Sequence, residues 1–293
     1  MKPVWNLLIA YDGSDCSDAA LSDLERAGLP PAVEAIVLTV ADLILPPPDD
    51  ALPPTDFPAI RIPEVERHAQ AHARKAGMEA WAFAERAVKR VKADFPSWEV
   101  RAEVRCDSPA WAVVKMAHRE NSDLIVVGSH GHSLLGGRLI LGSVSQRVLY
   151  EAGCSVRVAR CLDRQRKGPV RVVIGFNGSP DSELAVAAVA SRAWPEGSEA
   201  RVVTARDTLP PPMPGVAAER LRAAGLNTVE VSRDGEPAHV LIKEVEEWGA
   251  DSVFVGTRNV HGFRHLLHGS VSAAVAARAQ CSVEVVRAER GVA

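Results

Sequence analysis

Residues 142–160 read GSVSQRVLYEAGCSVRVAR, and residues 269–287 read GSVSAAVAARAQCSVEVVR. Eleven of these 19 positions are identical at an offset of 127, where roughly one or two matches would arise by chance at ordinary composition. A chain that repeats itself over this distance holds two copies of one unit. The repeat extends upstream: DSPAWAVVKMAHRENSDLIVVG (107–128) aligns with GEPAHVLIKEVEEWGADSVFVG (235–256) at an offset of 128, with Gly128 on Gly256. The first copy therefore carries one extra residue between Gly128 and Gly142. LLIAYDGSDCSDAAL (7–21) aligns with VVIGFNGSPDSELAV (172–186) at an offset of 165, so the second copy is about 38 residues shorter between its first and third strands. The charged, aperiodic DRQRKGP (163–169) suits a linker. Two domains are expected, 1–162 and 170–293.

Within one copy, apolar runs alternate with helical periods. VWNLLIAY (4–11), VEAIVLTVA (33–41) and LIVVGSH (124–130) are nearly continuous apolar runs, as strands buried on both faces require. WEVRAEVR (98–105) alternates and reads as an outer strand, and SVRVARCL (155–162) as the last. Between them helices are predicted over 17–27, with Ser17 as N-cap, and over 63–94, 108–120 and 143–152. The long one turns Val65, Ala69, Ala73, Ala76, Ala80, Phe83, Ala87 and Val91 to one face and Arg86–Lys92 to water. PPPDDALPPTDFP (46–58) cannot be regular structure. The second copy repeats the order: strands 171–176, 201–205, 228–233, 252–256 and 282–287, a helix after Ser182, a short helix after PPPMP (210–214), then helices over 238–248 and 271–279. Strand–helix alternation implies an α/β fold of two tandem doubly wound domains, each a five-stranded parallel sheet flanked by helices.

Composition narrows the function. The 293 residues are 47% hydrophobic and 24% charged, with a net charge of −3 and 5% aromatics. No basic excess exists to neutralise nucleic-acid phosphates and few rings exist to stack on bases. No apolar run reaches a membrane span, and the N-terminal stretch reads as a first strand, not a signal peptide. Five cysteines without a CxxC pair fit a reducing, cytoplasmic compartment. Cys154 and Cys281, at one repeat position, read as small packing residues.

The chemistry concentrates where such sheets bind ligands, beyond the carboxyl ends of the strands. DGSDCS follows the first strand, and GSHGHSLLGGRLILGSVS runs from the fourth strand into a helix. Glycines let backbone N–H groups approach a phosphate, and a helix N-terminus adds donors and a positive dipole end. A plain Gly-rich crossover with a Ser-capped helix is the alternative, and two copies of GSVS favour the phosphate cradle. His130 and His132, with His261, His265 and His268 in the second copy, lack an adjacent acidic or Cys partner and read as loop residues or phosphate contacts, with no metal held by the protein alone. Asp12 would bind ribose or a nucleotide-borne metal, or cap its own turn. GxxxxGK[ST] and G-x-S-x-G are both absent. Trp111 and Trp248 read as packing residues.

The run G-x2-G then G-[ST] before a helix that leads into a C-S-V strand, together with the opening strand–Asp–GS–x2–S, resembles the universal stress protein family. The resemblance spans nearly the whole chain, twice. It implies the ATP-binding subclass, with adenine between the ends of strands one and two, phosphates on the Gly/Ser loop and magnesium arriving with ATP. Carried onto the first copy, it marks Ala10, Tyr11, Asp12, Val40, Val127, Gly128, Gly131, Gly142, Ser143, Val144 and Ser145. In the second it marks Asn177, Ala205, Gly256, Asn259, Gly269, Ser270, Val271 and Ser272. The first copy has ten residues between Gly131 and Gly142 where the family pattern has nine; Gly136-Gly137 can absorb the extra one. The second has Asn177 for Asp12, Asn259 for Gly131 and Ala205 for Val40, so weaker binding is expected there. The family also implies an internal, roughly two-fold pair joined through the last strand of each copy, and leaves room for a homodimer. A nucleotide-independent protein-interaction module and a very slow ATPase are the contrasting functions.

Overall fold

The two strongest apolar runs become neighbours: WNLLIA is β1 (Trp5–Ala10) and VEAIVLTVA is β2 (Val33–Ala41), paired in parallel with Leu8 beside Ile36. The computed structural model describes residues 4–41, 63–130, 141–160, 168–206, 215–257 and 271–288, and side chains of the long helix from 74 onward. The first half continues with α1 (Asp15–Asp23), a 3-10 turn (Leu24–Arg26), α2 (Pro63–Asp94), β3 (Glu99–Cys106), α3 (Pro109–Arg119), β4 (Leu124–Gly128), α4 (Ser143–Glu151) and β5 (Ser155–Ala159). The second half runs β6 (Arg171–Gly175), α5 (Pro180–Ala190), β7 (Glu199–Ala205), α6 (Gly215–Ala223), β8 (Asn227–Arg233), α7 (Pro237–Trp248), β9 (Ser252–Gly256), α8 (Val271–Arg278) and β10 (Ser282–Val286). The expected linker lies mostly outside the described residues.

The described strands form one sheet in the order β3-β2-β1-β4-β5-β10-β9-β6-β7-β8. Each half is parallel, and the polarity reverses once, where β5 and β10 pair antiparallel with Arg157 opposite Glu284. The strand order turns back between β1 and β4, which sets a crevice at their carboxyl ends. A core containing Leu8, Ile125, Val127, Val156 and Val283 runs through both halves, and separate cores lie under α1–α2 and α5–α6.

The central join is reciprocal. Arg160 N donates to Ser282 Oγ at 3.1 Å, and Arg287 N to Ser155 Oγ at 3.1 Å; the partners exchange places at the repeat offset. Arg160 Nη2 donates to Ala276 O at 2.5 Å, at the end of α8, while Arg287 Nη1 donates to Cys154 O at 3.1 Å and Nη2 to Leu149 O, at the end of α4. Cations at helix C-termini are favoured by the dipole. Between them, fully buried Arg157 holds Asp23 through Nε at 2.5 Å and Nη2 at 3.0 Å and Glu284 at 3.4 Å, while Arg192 pairs with Glu284. Ser282 Oγ donates to Asp23 at 2.7 Å. Two cations and two carboxylates thus neutralise one another away from water, the condition under which buried charge is tolerated. Burial alone would pull the Arg157 guanidinium down, but Asp23 and Glu284 hold it above its ordinary range.

Several local expectations are corrected. The N-cap of α1 is Ser14, whose Oγ accepts from Ser17 N at 3.3 Å; Ser17 lies inside the first turn and donates its hydroxyl to Ser14 O. Likewise α5 starts before Ser182, capped by Ser179 with Pro180 at the first position. Strand β4 ends at Gly128 and β5 at Ala159, shorter than their apolar runs. On α2 the buried set is Ala80, Ala84, Ala87 and Val91, with Ala76 and Phe83 half-buried; the side chains of Val65, Ala69 and Ala73 lie outside the described residues. Trp111 is exposed beside Lys115, whereas Trp248 packs on the core between Arg171 and Arg201. Among the described residues no helix is long and apolar enough to cross a membrane.

Candidate functional site

Three pieces of chain meet at the carboxyl ends of β1 and β4: the turn into α1, the end of β4 and the start of α4. Tyr11 extends the strand pairing, its N donating to Leu38 O at 2.9 Å. Its ring is buried in the α1–α2 core, and its hydroxyl donates to Asp18 at 2.7 Å while accepting from Arg86 Nη2 at 2.6 Å. Arg86 is exposed on the wet face of α2, as expected, and its guanidinium also reaches over Tyr11 and Phe83. Burial, with the Asp18 hydrogen bond, raises the Tyr11 phenol above its ordinary range.

Asp12 makes the turn. Its Oδ1 accepts from Ser14 N at 3.0 Å and Ser14 Oγ at 2.6 Å, an Asx-type turn. Gly13 has φ +79, and a Cβ there would lie 3.0 Å from the Phe83 ring. Asn177 builds the same turn in the second half, with its Oδ1 accepting from Ser179 N at 3.1 Å and Gly178 at φ +73. The turn needs the oxygen and not the charge.

The first turn of the helix that follows strand one closes on the end of strand four in both halves. A Cβ on Gly128 would stand 2.8 Å from Cys16 O, and one on Gly256 would stand 1.9 Å from Asp181 O. Glycine is required at both places by backbone approach. Val127 is buried; Ala10 and Val40 are half-buried against the main core, as is Ala205 at the Val40 position.

The Gly/Ser loop is pinned at its ends. Gly142 N donates to Ser129 O at 2.8 Å, and Ser145 Oγ donates to Gly128 O at 2.6 Å. That leaves α4 beginning at Gly142-Ser143 with no side-chain cap, Ser143 exposed and Val144 half-buried. His130 Nδ1 lies 3.1 Å from Ser129 Oγ, and burial together with the charge of Arg160 lowers its pKa. Gly131, His132 and the ten-residue spacer lie outside the described residues, as do Asn259, Gly269, Ser270, His261, His265 and His268. Val271 is half-buried and Ser272 buried at the start of α8.

Arg160 was not marked by the sequence. It is 3% exposed, close enough to His130 for its charge to act there, and its Nε and Nη1 are buried without a hydrogen-bond partner. Its repeat equivalent, Arg287, has partners for both Nη atoms. The signal was present as an arginine at one position in both copies, but only the fold brings it near His130. None of the four described cysteines is in a disulfide, and burial pushes the Cys281 thiol up to about 12, which keeps it a packing group. Among the described residues no three His, Cys, Asp or Glu side chains gather as metal ligands.

The comparisons with known proteins follow this geometry. The profile described as the Universal stress protein family matches residues 5–160 and 216–287. A universal stress protein of Mycolicibacterium smegmatis is 33% identical over 214 residues, which is 64% of this chain and 69% of that protein. One from Mycobacterium tuberculosis is 33% identical over 210 residues, with the same shares of 64% and 69%. The crystal structure of a universal stress protein from Archaeoglobus fulgidus aligns over 97% of both chains at a TM-score of 0.66 and 20% identity, a likeness of fold alone.

Proposed function

The chain belongs to the universal stress protein family, and from that premise we propose that its first half binds an adenine nucleotide, ATP with magnesium, at the crevice between β1 and β4. The observation that carries the reading is the bare N-terminus of α4. Gly142 and Ser143 present it at the end of β4, with no side chain supplying the cap. Unpaired N–H groups and the dipole there favour an anion. The donor set suits a polyphosphate: the first-turn amides of α4, the exposed Ser143 hydroxyl, and a buried arginine near His130 with orphan donors.

In this reading Gly128, Gly142, Ser143, Val144 and Ser145 surround the phosphates, with Gly131 in the loop between. Ala10, Val40 and Val127 form the apolar wall for the base. Tyr11 contributes backbone, because its ring is committed to Asp18 and Arg86. Asp12 supplies a carboxylate for ribose or for magnesium carried by the phosphates, which when bound would neutralise phosphate charge. Ser145 acts as a brace, its hydroxyl tied to Gly128. We assign binding as the role, with hydrolysis at most very slow, and a cytoplasmic setting that fits described cysteines outside any disulfide. The chain comprises two domains, 1–162 and 170–293, joined through β5 and β10, the second a weaker site.

The test is nucleotide extraction from the purified full chain, then calorimetry of the stripped protein with ATP and magnesium. The expected result is adenine nucleotide in the extract and one dominant binding phase. An empty extract with no heat up to millimolar ATP refutes the reading.

A further inference from the structure

The outer flank of α2 carries apolar surface that no other described residue covers. Met78 is 75% exposed and Trp81 is 47% exposed, large values for such side chains in one patch. They sit in a shallow depression of about 550 Å³ whose described walls are Arg74, Gly77, Met78, Trp81, Ala82 and Glu85. Helical spacing places these six on one strip, off the buried stripe of Ala80, Ala84, Ala87 and Val91.

The strip reads the same in both directions. About the midpoint between Glu79 and Ala80, Met78 mirrors Trp81, Gly77 mirrors Ala82 and Arg74 mirrors Glu85. A two-fold axis through that point, perpendicular to the helix, would lay α2 antiparallel on α2 of a second copy. Each Met78 then meets a Trp81, each small residue meets a small residue, and each Arg74 meets a Glu85. Self-complementarity of this kind is what an isologous interface demands. Gly77 adds an independent pointer. It sits inside a 32-residue helix, has no positive φ, and a Cβ there would meet nothing within 4 Å. The described residues therefore give no reason for glycine at a position where it weakens a helix. Close approach of a second helix gives one, because small residues let helix backbones come near.

We propose that α2 is a homodimerisation surface, on which a second copy of this chain packs antiparallel with Arg74–Glu85 pairs closing both ends. The strip from 74 to 85 is roughly 16 Å long, so the contact is smaller than a standard stable interface and the dimer is weak and reversible. It is independent of nucleotide binding and lies apart from the β5–β10 join.

Sedimentation equilibrium of the full chain over about 5–500 µM tests this. The expected result is a monomer–dimer equilibrium with Kd in the micromolar range. Met78→Glu raises that Kd at least about tenfold. Arg74→Glu and Glu85→Arg each do so too, because one reversal sets two like-charge pairs across the axis. The double reversal returns Kd to within about threefold of the parent. Gly77→Leu weakens the dimer while leaving thermal stability of the chain unchanged or higher, a combination that a role within one chain does not produce. All four positions are off the described core, so circular dichroism verifies folding. A wild type monomeric at every concentration, a dimer indifferent to Met78→Glu, or a double reversal no better than the singles overturns the proposal.

Discussion

The two halves agree where backbone is at stake and differ where charge is. Asp12 and Asn177 build the same turn with the same oxygen, and Gly128 and Gly256 yield to the same approach by the following helix. Yet Asp12 is an anion and Asn177 is not, and Arg157 faces its own repeat equivalent, Glu284, across the centre of the sheet. Two identical units joined by their last strands would set arginine against arginine or glutamate against glutamate. Duplication within one chain removes that constraint. The equivalent positions have become complementary, and Asp23 and Arg192 fix which side carries which sign. Fusion lets each half specialise, one for its ligand and both for each other.

The largest expected effect breaks that central complement. Arg157→Met leaves Asp23 without its bidentate partner and Glu284 with Arg192 alone, and should cost about 3–5 kcal/mol, the scale of an uncompensated buried charge. Adding Asp23→Asn should recover part of the loss. Denaturant unfolding of the two variants measures both terms. Swapping the signs as Arg157→Glu with Glu284→Arg should fail to rescue, because Asp23 and Arg192 would then face like charges.

Next in size is the glycine pair. Gly128→Ala should destabilise by about 1–3 kcal/mol through overpacking. Gly256→Ala should cost more, since its Cβ would stand 1.9 Å from a carbonyl oxygen against 2.8 Å in the first half. Thermal melts of the two single variants rank them, and equal costs would mean the halves are not as differently closed as the structure has them.

How far all this was readable beforehand depends on range in sequence. The 127-residue repeat set the element order, and apolar runs gave β2 over Val33–Ala41 and α2 over Pro63–Asp94. Cap positions slipped because Ser14 and Ser17 are equally good capping types and only the Asp12 turn decides between them. Arg86 is solvated as read, but nothing local announces its bond to Tyr11, 75 residues away. Arg157 and Glu284 are one of eight mismatches in the repeat window, and their pairing exists only once β5 and β10 meet. Arg160 escaped for the same reason.

A smaller effect separates turn from ligand at Asp12. Asp12→Asn should leave the melting temperature nearly unchanged, as Asn177 already shows such a turn to be sound. It should weaken ATP binding about tenfold through loss of a charge-assisted contact. A fall in stability with unchanged affinity would assign Asp12 to the turn alone. The smallest effect is at His130. Burial, with the Arg160 charge, lowers its pKa in the fold. The unfolded chain therefore binds this proton more readily, and the stability contributed is present above the ordinary histidine range, about 6.5, and declines as pH falls below it. His130→Gln should flatten that decline in urea unfolding followed from pH 7.5 to 5. Added ATP should raise the His130 pKa in an NMR titration, since phosphate favours the imidazolium.

The most direct test of the unequal halves is calorimetric titration of the full chain with ATP and magnesium, made on Ser143→Ala and on Ser270→Ala side by side. If the first half holds the principal site, Ser143→Ala weakens the dominant phase by at least about tenfold, and Ser270→Ala leaves it unchanged. Loss of the dominant phase in Ser270→Ala, with Ser143→Ala indistinguishable from the parent, would contradict the account and place the site in the second half.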